Sequence, residues 1–229
     1  MKGILTLKKS AVIAVVCLAA LCVSGCSKPT PEQVAERKQK KALKGGEAMN
    51  VSYKVGDTGP GGGIVFYYSE VGFSVHGSDV LCHYLECSPT ELGYIPWCPG
   101  AFTGWQNKFK GIGRGIGAGK GNTDIILRAD HVAPLTLANC AAKACAEYST
   151  KTTKTGEWYL PSNNELLLIY RNLKLSGKIV TNSYYWSSSV ETFYTNIGGG
   201  QAYACNFNNG NIDFDGCLFN NVVRDVRAF

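Results

Sequence analysis

The chain has 229 residues, 45% of them hydrophobic, and a formal charge of +6. The charge is confined to one end: Lys2, Lys8 and Lys9 lead, residues 28–47 hold six cations against three acids, and the rest carries 14 of each sign. A neutral remainder lacks the basic footprint that a phosphate backbone requires, so nucleic acid is excluded as a partner.

The opening lysines precede an apolar run from Ala11 to Val23, too short to span a bilayer with ease, and residues 1–25 read as a signal peptide. Small residues at Val23-Ser24-Gly25 stand just before Cys26, which resembles the lipobox of bacterial lipoproteins. Cys26 is then the acylated first residue of the mature chain, although an ordinary secretory signal has a similar small-residue site. Multiple acylation would anchor it stably to membrane and place it in the bacterial cell envelope as an outer-membrane or surface lipoprotein. Residues 26–50 are charged, poor in large apolar groups and punctuated by Gly45-Gly46, as expected of a basic tether.

A single domain is expected over 51–229. Val51 to Pro60 reads as a strand and turn, with Gly61-Gly62-Gly63 opening conformations closed to other residues. Ile64 to Tyr68 reads as a buried strand. Leu135 to Tyr148 has helical spacing, and Ser162-Asn163-Asn164-Glu165 is a capping box that opens a second helix to about Leu173. Short strands and turns fill the rest, so the class is α+β with two helices and much irregular chain.

Several motifs invite chemistry and fall short of it. The glycine run Gly111 to Gly121 lacks the Ser or Thr that a phosphate loop needs after Lys120, and no βαβ pattern surrounds it; a structural loop running into a helix cap at Asn122-Thr123 is expected. Asn211 to Gly216 matches the first half of a calcium loop, but the twelfth position is Val222 where a bidentate carboxylate is required, which leaves at most a weak site. Cys82, Cys87 and Cys98 with His83 lack the paired C-x2-C of a zinc ribbon, so no metal and no cofactor is expected. Seven cysteines follow Cys26, which in an exported domain suggests disulfides with one thiol left over. The three histidines fit no nucleophile-base or metal motif, and the chain is not expected to be an enzyme.

From Gly56 to Phe229 the sequence resembles the Legionella-collagen-like C-terminal domain family, whose fold belongs with C-type lectins and formylglycine-generating-enzyme-like domains. The resemblance rests on Val55 to Gly63, Gly117 to Thr123, Trp158-Tyr159-Leu160-Pro161-Ser162 with Glu165-Leu166, Tyr185-Trp186-Ser187-Ser188 and Val226-Arg227-Ala228-Phe229. It implies a C-type-lectin-like fold, but the calcium-and-sugar motifs of true lectins and the cysteine pair of the oxidase are absent. With its lipoprotein leader and Asn-rich terminus, the chain further resembles spirochaete variable lipoproteins diversified by a retroelement. In such systems Asn codons mutate to a set that excludes Trp, Met, Gln, Lys and Glu, and none of the five occurs in Thr192 to Gly200 or Asn206 to Asn221.

The expected function is display of a ligand-binding face, over about 186–229, to an unknown partner that is most simply a protein. Phe193, Tyr194, Ile197, Tyr203, Phe214, Leu218 and Phe219 are the candidate apolar contacts. Asn206, Asn208, Asn211, Asp213 and Asp215 are the candidate hydrogen-bonding contacts, while Trp158, Trp186 and Arg227 are assigned to the scaffold. A fixed adhesin for carbohydrate or glycosaminoglycan is the alternative, and an enzyme of formylglycine-generating-enzyme-like fold stands third.

Overall fold

The computed structural model describes residues 52–98, 109, 111–129, 139–190 and 200–229. The leader, Cys26 and the tether, together with Phe193, Tyr194 and Ile197, lie outside the described residues. Within them the fold is α+β, with three helices and eight strands.

Strands β1 (Ile64–Phe73), β2 (Cys82–Cys87) and β8 (Val226–Ala228) form an antiparallel sheet in the order β1-β2-β8. The second sheet runs β3-β7-β4-β5-β6, from β3 (Gly93–Pro96), β7 (Asn220–Val223), β4 (Tyr184–Val190), β5 (Gln201–Asn206) and β6 (Ile212–Gly216). All its pairings are antiparallel except β4 with β7, where Tyr185 faces Val222 in parallel. Helices α1 (Ala118–Ala129), α2 (Ala141–Glu147) and α3 (Asn163–Ile169) accompany the sheets, and a π-helical turn, Tyr170–Lys174, continues α3.

Where a strand is expected up to Pro60, the described residues 52–60 are irregular chain and turns, with a bridge from Thr58 to Ile64. The reason is the side chain it wraps. Glu86 is fully buried, and its carboxylate accepts the N–H groups of Gly61 at 3.0 Å and Gly63 at 2.9 Å. A Cβ at Gly59 or Gly61 would collide with that carboxyl group, so the glycines make room for it.

The second glycine run does the same for Glu165. Gly117 N–H donates to Glu165 Oε1 at 2.8 Å and Ser162 N–H to Oε2 at 2.7 Å, and a Cβ at Gly119 would overlap the carboxylate. Burial, the largest influence, pushes the Glu165 carboxyl up to about 7 despite these bonds. The capping box at Ser162 is present as expected. Asn122-Thr123, however, is not a helix cap: α1 already begins at Ala118, and both residues are buried inside it. Asn122 bonds both backbone groups of Gly113, and Thr123 Oγ1 accepts the N–H of Leu160 at 3.0 Å.

Two apolar clusters make the core. One gathers Trp97, Ile126, Leu160, Trp186, Val190 and Val223; the other gathers Phe66, Leu85, Leu166, Tyr185, Phe207 and Val226. Strand β4 pairs with β7 and β5 along its two edges, and the two clusters take Trp186 on one face and Tyr185 on the other, so all three serines of Trp186-Ser187-Ser188-Ser189 are buried. Their hydroxyls donate to backbone carbonyls of Tyr203, Pro161 and Gly113, which is what burying polar groups requires.

Candidate binding face

The described C-terminal residues divide into a buried frame and an exposed rim. Strand β5 is enclosed by β4 and β6 and is buried from Ala202 onward. Among the described residues strand β6 ends the sheet order, and its burial falls away at Asp213 and Phe214. The turn into β7 then presents Leu218 and Phe219, 53% and 65% exposed.

Two tight turns hold this rim. In the first, Gly210 N–H donates to Asn206 O at 2.7 Å, and Asn206 Oδ1 accepts the Asn208 N–H at 2.9 Å. Gly210 has φ +78° and a Cβ there would strike the Tyr170 ring, so only glycine fits. In the second, Phe219 N–H donates to Gly216 O at 2.9 Å, while Asp215 accepts from its neighbour Gly216 N–H at 2.8 Å and from Asn221 Nδ2 at 3.0 Å.

These placements sort the expected contacts. Asn208, Asn211, Asp213, Phe214, Leu218 and Phe219 are exposed together along β6 and its flanking turns. Asp215 is half-buried and braces a turn. Tyr203 and Asn206 are corrected to frame positions, because both are buried. Arg114 Cζ lies 4.0 Å from the Tyr203 ring centre, and Phe214, its cross-strand partner, packs on the same ring at 4.7 Å. Asn206 spends its side chain on the first turn. Arg114 had no signal in the sequence, since its role arises only from the approach of residues far apart in the chain.

The run Asn211 to Gly216 is extended as β6 and does not curl into a calcium loop. Among the described residues no group of three or more His, Cys, Asp or Glu is placed to hold a metal. The seven described cysteines are buried and stand as thiols in this structure. Burial pushes the Cys205 thiol up to about 12, far from a reactive thiolate. No protein-family model and no curated protein matches the chain.

Proposed function

We propose that the protein is a lipid-anchored, surface-displayed binding protein whose C-terminal rim captures a protein partner through residues that vary between copies. The observation that carries this reading is the separation just described: Phe214, Leu218 and Phe219 are exposed beside Asn208, Asn211 and Asp213, while Tyr185, Trp186 and the β5 residues behind them are buried. Large apolar groups held outward on braced turns give contact area at low ordering cost, and adaptable amides beside them supply polar matching. Asp213 on the rim disfavours a sulfated polymer, which is met by clustered cations.

The test uses beads coated with the purified chain and incubated with candidate host or bacterial cells. Phe214→Ala with Phe219→Ala should abolish capture while shifting stability little, about 1 kcal/mol or less for such exposed sites. Trp186→Ala, by contrast, should cost roughly 3 kcal/mol or more, since it empties a buried site. Capture that survives loss of both rim aromatics overturns the proposal.

A further inference from the structure

Geometry separates the seven thiols. Cys82 and Cys87 stand at opposite ends of the six-residue strand β2, roughly 16 Å apart at the rise of an extended chain. Cys140 caps α2 and Cys145 lies five residues on, so the helical rise alone parts them by about 7.5 Å, beyond the roughly 7 Å that Cα atoms of a disulfide tolerate. Cys87 and Cys205 share the second apolar cluster, but their strands β2 and β5 do not pair, so no backbone ladder fixes their approach.

Cys98 and Cys217 are different. The N–H of Cys98 donates to the carbonyl of Cys217 at 3.1 Å. That single bond, with the covalent lengths on either side of it, limits their Cα atoms to about 6.5 Å apart, within the range that a disulfide spans. Both side chains are buried in the first apolar cluster. Burial first, and then the neighbouring Cys98 sulfur, holds the Cys217 thiol well above its ordinary value.

We infer that Cys98 and Cys217 are a disulfide pair, joined in the exported protein by side-chain rotation without a change of backbone. The bond ties the chain two residues beyond edge strand β3 to the turn that presents Leu218 and Phe219. The rim is thereby fixed to the frame at its most exposed point, and Cys217 becomes an invariant anchor inside a stretch whose neighbours vary. This rests on the export reading for its compartment, because a reducing cytosol would keep both thiols.

The chemistry is thiol–disulfide exchange with an envelope dithiol oxidoreductase in its disulfide form. One cysteine thiolate attacks the carrier disulfide, giving a mixed disulfide and releasing one carrier thiol. The second cysteine thiolate then displaces the other carrier sulfur. Two protons leave the pair, its two electrons reduce the carrier to a dithiol, and the Cys98–Cys217 bond forms. Thiols this buried are poor nucleophiles once packed, so the exchange occurs while the chain is still open.

The full chain, reduced in denaturant, is refolded in mixed reduced and oxidised glutathione, and free thiols are then capped with iodoacetamide. Mass mapping of the digest should find the peptides of Cys98 and Cys217 joined in most molecules, with the remaining domain thiols capped. Capping of both Cys98 and Cys217, or a bond from either to another cysteine, overturns the inference. The refolding needs no export, so it is decided independently of the compartment. Mapping the same peptides from envelope and cytosolic fractions of cells tests the export reading on its own: a reduced cytosolic protein that nevertheless forms the bond in glutathione sinks that reading and not the pairing.

Discussion

Arg227 donates from Nη1 to Glu86 at 2.7 Å, joining the last strand to a carboxylate that the first glycine turns also cradle. Its Nε reaches Glu157 at 3.0 Å, so one guanidinium ties three separate parts of the domain together. Glu86 is fully buried, and removing the cation leaves its carboxyl, among the described residues, to the backbone N–H groups of Gly61 and Gly63. Arg227→Ala should therefore cost about 3 kcal/mol in urea unfolding, toward the low end for breaking a buried pair. Arg227→Lys should recover only part, because an ammonium cannot fork to two carboxylates from fixed positions. Equal stability of all three proteins would show that the cradle alone carries Glu86.

Stability should fall as pH rises through neutrality. Burial is the main cause that lifts the Glu165 carboxyl from 4.5 to about 7 and Asp225 from 3.8 to about 6. A folded state that holds protons the unfolded chain has released is favoured at low pH. Each contribution is fully present below the unfolded value and is lost as pH climbs through the folded one. The melting temperature should be higher near pH 5 than near pH 8, with a loss of at most about 3 kcal/mol from Glu165. Glu165→Gln should flatten the slope between those values, whatever it does to absolute stability. A slope unchanged in Glu165→Gln would place the titration elsewhere.

The capping box at Ser162 and the buried Trp186 were legible because each depends on local chemistry or on sheer apolar size. The glycine runs were legible only in part. Their spacing announces that something approaches the backbone closely, but Glu86 and Glu165 lie 23 and 48 residues from the glycines whose N–H groups they accept. The start of α1 was hidden for the opposite reason. Gly119 and Gly121 weaken helix propensity, and tertiary bonds from Asn122 and Thr123 hold the helix in compensation. Tyr203 and Asn206 looked like rim residues by composition. Only tertiary packing shows that they are inside: Arg114 and Phe214 close over the Tyr203 ring, and the Asn206 side chain is turned into the first tight turn.

Attachment through Cys26 is open to a direct experiment. Cys26→Ala should move the protein from the detergent phase to the soluble fraction, because the small residues before Cys26 then have no sulfur to acylate. The folded domain should keep the melting temperature of its parent, since its described residues begin at Ser52, well beyond Cys26. Unchanged partitioning would mean that the membrane association arises elsewhere.

Variation at the locus tests the display reading most directly. If adenine mutagenesis diversifies the terminus, deep sequencing of a population should find substitutions at Asn208, Asn211, Asp213, Phe214, Leu218 and Phe219, all of which are exposed and carry little of the fold. The residues drawn should be those that an Asn codon reaches by changes at its first two bases. Gly210 should stay fixed because the Tyr170 ring leaves no room for a Cβ, Trp186 because it is buried, and Arg227 because Glu86 depends on it. Tyr203 should vary little despite facing the rim residue Phe214 across the strands, for its buried ring packs between Arg114 and Phe214. Substitutions spread evenly over the domain, or free use of Trp, Met, Gln, Lys and Glu on the rim, would defeat retroelement diversification and leave a fixed adhesin in its place.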